Sequence, residues 1–179
     1  DLGAVAIGAA LDRANLEPGL VDEVLLGNVL QAKDGGYSAR LASLRSGVPH
    51  EVPTIAINRQ CSSGLEAINI AAQLIRAGEI EIAVAGGLES MSQAPFIVDS
   101  TIDRGVRSIA ESEPRDSLEQ SLGCPVNLYH MGITAENVAE RFGIGRSEQD
   151  ALALMSHKRA LAAIQNDFFR EQIVDVRVT

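Results

Sequence analysis

Residues 54–87 read TIAINRQCSSGLEAINIAAQLIRAGEIEIAVAGG. Thr54-Ile55-Ala56-Ile57 is a short run rich in β-branched residues and reads as a buried strand. Asn58-Arg59-Gln60-Cys61-Ser62-Ser63-Gly64 breaks it with small polar residues. A helix follows over residues 62–77 and stops at Gly78. Beyond its opening serines its polar positions are Glu66, Asn69, Gln73 and Arg76, spaced i, i+3, i+7, i+10, which is one narrow stripe. The remainder is apolar or small, so the pattern predicts a helix buried on most sides, lying between layers. Ile80-Glu81-Ile82-Ala83-Val84-Ala85 reads as the next strand and ends at Gly86-Gly87. Strand, helix and strand form a βαβ unit, which implies a parallel pair joined by a right-handed crossover.

The rest of the chain extends that α/β pattern. Residues 2–15 read as an apolar-rich helix ending near Glu17-Pro18-Gly19. Residues 24–29 read as a buried strand, and residues 38–46 as a helix halted by Gly47-Val48-Pro49. From residue 90 to about residue 130 the periodicity dissolves. This stretch holds Pro95, Pro114 and Pro125 and six acids, and it predicts an irregular excursion with short helical pieces that covers a site. Residues 131–142 look helical again. Ser147-Glu148-Gln149-Asp150 resembles a capping box opening a helix to about residue 166, and residues 173–178 alternate as a half-exposed strand.

Composition narrows the function classes. In 179 residues, 46% are apolar and 22% charged, which describes a globular chain with a sizeable core. Fifteen basic against 24 acidic residues leave a net charge of −9. That balance repels polyanions, and aromatics at 3% with no Trp offer no stacking platform, so nucleic acid is not an expected partner. No uncharged apolar run has the ~20 residues a membrane span needs. Two cysteines give neither a disulfide framework nor a zinc site, no metal is expected, and a reducing, cytoplasmic compartment fits. The chain opens at Asp1 in helical-looking sequence, which suggests a piece missing upstream.

The chemistry concentrates at Cys61. It falls where a strand gives way to a helix, and a helix N-terminus carries unpaired N–H groups and partial positive charge that favour a thiolate. The backbone N–H groups at Cys61 and Ser62 could hold an oxyanion there, as in a nucleophile elbow with Cys in place of Ser. The plainer alternative is that Cys61 is a small buried core residue. His50 and His157 read as solvated surface residues, while His130, at the close of the excursion, reads equally as a site residue or as a structural hydrogen-bonding histidine. Gly86-Gly87 lies at the carboxyl end of a strand taken as the neighbour of the strand before Cys61, where α/β sheets gather ligands. A phosphate-loop reading fails for want of GxxxxGK[ST] or GxGxxG. Cys124, before Pro125, reads as inert.

Five collinear segments resemble the thiolases, the acetyl-CoA acetyltransferase and 3-ketoacyl-CoA thiolase family. They are residues 23–29 (EVLLGNV), 58–65 (NRQCSSGL), 85–92 (AGGLESMS), 129–137 (YHMGITAEN) and 147–150 (SEQD) with its helix. The resemblance implies a layered α-β-α-β-α fold, here the amino-terminal half over residues 1–179: a mixed sheet, a buried central helix and a loop excursion at about 90–130, with the first strand and the carboxyl-terminal half absent. It implies that Cys61 takes the acyl group as a thioester and passes it on in a second half-reaction, either to free coenzyme A or to the carbanion of a second acetyl-CoA. Leu122, His130 and Met131 match positions near the pantetheine arm of coenzyme A, and the Tyr-His-Met-Gly form leans toward a short-chain, acetoacetyl-CoA type. Coenzyme A thioesters are then substrates, no cofactor is permanently bound, and a homodimer or homotetramer is expected. A mitochondrial or peroxisomal location would apply in a eukaryote.

The family's second half carries a Gly-His-Pro histidine, an Asn-Glu-Ala-Phe segment and a Cys-Gly-Gly-Gly turn, and none of these occurs here. The isolated chain is therefore expected to hold the nucleophile without its base. Between Phe96 and Val126 the sequence departs from the usual family pattern. A ketosynthase-type condensing enzyme and a non-catalytic lipid-binding module of the same fold are the competing readings. The segments at Gly86 and His130 favour thiolase over the first, and the retained Cys61 turn speaks against the second.

Overall fold

The structure, a computed structural model, describes residues 1–31, 36–103, 105–110 and 113–177. It divides into two compact units, Asp1–Ser121 and Leu122–Thr179. In the first, α1 (Leu2–Ala14) is followed by β1 (Glu23–Gly27), α2 (Ser38–Arg45), β2 (Thr54–Ile57), α3 (Ser63–Ala77) and β3 (Ala83–Gly87). The three strands form one parallel sheet in the order β2-β1-β3.

β1 occupies the centre because both of its faces are apolar. Val24, Leu25 and Leu26 are 0%, 0% and 3% exposed. Val24 and Leu26 join Ile7, Leu11, Ala39 and Ala42 of α1 and α2 in one cluster, while Leu25 joins Ala67 and Ala71 of α3 in the other. The result is a three-layer arrangement in which successive residues of one strand feed opposite cores. The α/β half-domain expected from the sequence is present, but its three-stranded sheet is wholly parallel and not the mixed sheet that was expected. Within it, β2 and β3 are not the paired neighbours that the βαβ reading took them to be; β1 lies between them and pairs with both.

Two element positions differ from the sequence reading for identifiable reasons. The strand expected at 80–85 runs from Ala83 to Gly87. The Asp22 carboxylate accepts the N–H groups of Glu81 and Ile82 at 2.8 and 2.9 Å, so those amides are engaged by a side chain before the ladder begins. α3 was expected to be buried on most sides, yet only Ser63, Ala67 and Ala71 are buried, and Leu65, Ile68 and Ile75 are 61%, 50% and 45% exposed. A single sheet covers a single face, and the described residues of this unit supply no second layer over the other.

The excursion is more regular than its composition suggests. β4 (Phe96–Ile97) pairs antiparallel with β7 (Arg115–Asp116), and β5 (Ser100–Asp103) with β6 (Val106–Ile109), so one ribbon nests within another. Among its described residues the expected short helical pieces are a 3-10 turn at Met91–Gln93 and α4 (Ser117–Ser121). Asp99 and Arg115 tie its base together through a two-bond ion pair at 2.7 and 3.1 Å. The short strands lack the length over which alternation becomes readable, which explains why the ribbons do not register in the sequence pattern.

In the second unit, α5 (Met131–Phe142) matches expectation, and α6 (Arg146–Gln165) begins slightly earlier than the capping-box reading placed it. Its N-cap is Gly145, not Ser147, and the Gly145 N–H donates to the Glu148 carboxylate at 3.0 Å. The strand expected at 173–178 does not form over residues 173–177; residues 178–179 lie outside the described residues. A strand needs a ladder partner, and the described residues of this unit contain no strand to provide one.

The two N–H bonds to Asp22, first that of Ile82 and then that of Glu81, hold its carboxyl below the usual carboxylate range. A carboxyl depressed on folding contributes stability that is complete above its unfolded pKa of about 3.9 and is lost as pH falls through the lower folded value. Asp22→Asn is therefore expected to be less stable than the parent at pH 7. The gap should narrow as pH drops below about 4, as measured by denaturant midpoints across that range.

Candidate active site

Cys61 sits in the turn between β2 and α3, and its side chain is exposed. The structure thus rules out the reading of Cys61 as a buried core residue. The residue before it, Gln60, has φ 50°, in the left-handed region that non-glycine residues adopt only at a cost of about 1–3 kcal/mol. A set of local hydrogen bonds offsets that cost. The Gln60 N–H donates to Asn58 Oδ1 at 3.2 Å. The Gln60 carbonyl accepts both the Ser63 hydroxyl at 2.6 Å and the Ser63 N–H at 3.0 Å. Ser63 Oγ in turn accepts the Arg59 N–H at 2.8 Å, and the Ser62 hydroxyl donates to the Arg59 carbonyl at 2.8 Å. Arg59 and Glu66 form an ion pair from the turn to the first turn of α3.

The two serines stitch the turn in which Cys61 lies. The Ser62 N–H, expected beside that of Cys61 as an oxyanion donor, is directed at the Arg59 carbonyl at 3.2 Å. The sequence reading did not single out Gln60, and it read Ser63 only as a small residue that lets a substrate carbonyl approach the backbone. An asparagine two residues ahead of a strained position is a turn-forming signature, and Asn58 carried it.

The start of α3 lies directly on the end of β1. A Cβ on Gly27 would lie 2.5 Å from the Gly64 nitrogen and 2.8 Å from Ser63 Cβ, distances no side chain can occupy. A Cβ on Gly87 would lie 3.1 Å from the Gly27 carbonyl oxygen and 3.7 Å from Gly64 Cα. Gly27, Gly64 and Gly87 thus let two strand ends and a helix start converge. The Gly86-Gly87 turn and the Cys61 turn belong to non-adjacent strands, and it is this glycine contact above β1 that joins them.

Leu122, His130 and Met131 all lie in the second unit, where backbone hydrogen bonding draws them together. The Met131 N–H donates to the Leu122 carbonyl at 2.9 Å, and Gly123 and His130 form an antiparallel bridge. His130 is exposed and caps α5, its Nδ1 accepting the Gly132 N–H at 3.0 Å. An accepting Nδ1 places the ring proton of the neutral imidazole on Nε2. His50 and His157 are exposed, as read from the sequence. Cys124 is half-buried. The N–H groups of Asn127, at 3.3 Å, and of Val126 pull its pKa below the ordinary thiol value. Among the described residues no group of three or more His, Cys, Asp or Glu is arranged to hold a metal ion. No helix among them is long and apolar enough to cross a membrane.

A family profile described as thiolase, N-terminal domain, matches residues 1–179. The chain belongs to the thiolase family. It is 46% identical over 179 residues to acetyl-CoA acetyltransferase of Escherichia coli (strain K12), covering 99% of this chain and 45% of that protein. It is 43% identical over 181 residues to a probable acetyl-CoA acyltransferase of Staphylococcus aureus (strain COL), with the same coverage. Among solved structures, human mitochondrial 3-ketoacyl-CoA thiolase in complex with CoA superposes with a TM-score of 0.89 at 39% identity, over 99% of this chain and 45% of that one. Acat5 thiolase from Ascaris suum in complex with coenzyme A gives 0.89 at 34% identity, over 98% and 45%. This thiolase chain spans somewhat less than half the length of the relatives it matches.

Two outcomes follow for this thiolase segment. Gly27→Ala forces the α3 start off the sheet and is expected to lower stability by about 1–3 kcal/mol, read from denaturant unfolding midpoints. His130→Ala removes the α5 cap and should cost about 1 kcal/mol, whereas His130→Asn keeps a capping oxygen and should recover most of it.

Proposed function

We propose that this chain carries the acyl-accepting cysteine of a thiolase, and that the whole protein transfers acyl groups between Cys61 and coenzyme A. The observation that carries the reading is the exposed Cys61 side chain at the head of α3, fixed after a left-handed Gln60. In the first half-reaction, Cys61 loses its proton to a base and attacks the 3-keto carbonyl carbon of a 3-ketoacyl-CoA, which becomes the acyl carbon held on sulfur. The bond between the acyl carbon and the adjacent methylene carbon breaks, and acetyl-CoA leaves after that carbon takes up a proton. In the second, the thiol of free coenzyme A attacks the acyl-cysteine, a new thioester forms, and the Cys61 thiol is regenerated. Run in reverse, acetyl-CoA loads Cys61 and the carbanion of a second acetyl-CoA attacks it. Amides at the head of α3, those of Cys61 and Ser62 among them, would stabilise the oxyanion; for Ser62 this means sharing or releasing its bond to Arg59.

Leu122, His130 and Met131 are assigned to the pantetheine arm, with His130 Nε2–H as a hydrogen-bond donor. The relatives named as acetyl-CoA acyltransferases and the two thiolases crystallised with coenzyme A support this substrate class. The base that deprotonates Cys61 is assigned to the part of the relatives this chain does not span. We further assign the protein to a homodimer or homotetramer.

In the full-length protein, Cys61→Ala is expected to abolish thiolysis of acetoacetyl-CoA, followed by loss of its enolate absorbance. Cys124→Ala should leave the rate within about twofold, as expected away from the reacting atoms. Residues 1–179 alone should give no sustained turnover; full turnover from them would refute the assignment of the base.

A further inference from the structure

The carboxyl ends of β1 and β3 carry a polar assembly that neither core uses. Glu89 projects from just beyond β3, and its carboxylate accepts the Val29 N–H at 2.9 Å, the Leu30 N–H at 3.2 Å and Asn28 Nδ2 at 2.9 Å. Asn28 is 3% exposed, and its Nδ2 also donates to the Leu88 carbonyl at 3.1 Å. Its Oδ1 accepts the hydroxyl of Ser38 at the start of α2. One carboxylate thus gathers the amides of the segment leaving β1.

That segment continues toward Cys61. The Val29 carbonyl, across one residue from the amide that Glu89 holds, accepts Asn58 Nδ2 at 3.4 Å. Asn58 Oδ1 accepts the N–H of Gln60, the left-handed residue that precedes Cys61. The path runs from a carboxylate through two amides, a carbonyl and one carboxamide to the strained turn. Asn58 bridges its two halves because a carboxamide donates and accepts at once.

We infer that Glu89 and Asn58 are positioning residues that fix the backbone at Gln60 and so set the direction in which Cys61 is presented. The inference rests on Cys61 being the nucleophile. Glu89 anchors the 28–30 segment, Asn58 transmits that anchor, and the bond to Val29, the longest in the path, is where it is most easily broken. A carboxylate is suited to the anchor because charge-assisted bonds to N–H groups are roughly twice as strong as neutral ones. Asn58 is exposed, so the rigidity of this path and not its burial is what holds Gln60.

The test is steady-state kinetics of the full-length protein with acetoacetyl-CoA and coenzyme A. Asn58→Leu and Glu89→Ala should each lower kcat by about 10- to 100-fold, the scale of a small misplacement of a reacting group, with KM altered by less than about twofold. Asn58→Asp keeps the acceptor for Gln60 while losing the donor to Val29, and Glu89→Gln keeps one acceptor for the Val29 and Leu30 amides. Both should recover part of kcat, and as near-isosteric changes they report even where a larger truncation misfolds. In the double variant Asn58→Leu/Glu89→Ala, the loss should be no greater than the larger single loss, because one path is broken once or twice. Multiplying losses, a rise in KM with kcat intact, or no recovery in the isosteric variants would overturn the inference. A Cys61→Ala protein that still turns over would instead overturn the nucleophile assignment on which it rests.

Discussion

The first turn of α3 rests on the end of β1 with no side chain between them. Gly27 makes this possible: any Cβ there would occupy the space of the Ser63–Gly64 backbone. The consequence is geometric. A helix that starts this close to a sheet must be entered through a very tight turn, and the turn from Ile57 to Ser63 is made with Gln60 in the left-handed region. Cys61 lies within that turn and is exposed there.

The energetics of the unit divide by depth. In the middle of the sheet, alternating residues of β1 supply two apolar cores, and hydrophobic burial is the main stabilising contribution there. At the carboxyl ends of the strands the packing residues give way to glycine, and polar groups take over. The Ser63 hydroxyl, the Asn58 carboxamide and the Glu89 carboxylate each satisfy backbone groups that the ladder has released. Such a polar rim tolerates backbone strain because several directional bonds oppose it together. It is also where an α/β sheet presents its reactive groups to a ligand.

Much of this was legible in the sequence because it depends on period and punctuation. The helix of residues 63–77 and the position of Cys61 before it followed from one polar stripe and one interruption of a β-branched run. What the sequence did not disclose came from contacts between distant residues. The central position of β1 depends on both of its neighbours. The late start of β3 depends on Asp22, some sixty residues earlier in the chain. The strain at Gln60 accompanies the close seat of α3 on Gly27, and Asn58 is the local sign of it in the sequence. The nested ribbons of residues 96–116 were missed because two- and four-residue strands are too short for alternation to show. The strand expected at 173–178 shows the converse over its described residues 173–177: the alternation is there, but among the described residues of its unit no strand partners it.

The account turns on where the acyl group resides between the two half-reactions. Full-length protein incubated with acetyl-CoA in the absence of a second substrate, quenched in acid and digested, locates that group by peptide mass. The account predicts one acetyl group on the peptide containing Cys61 and none on the peptide containing Cys124, with the label discharged when free coenzyme A is added before the quench. An acetyl group on Cys124 alone, or an unmodified Cys61 peptide in a protein that is turning over, would contradict it.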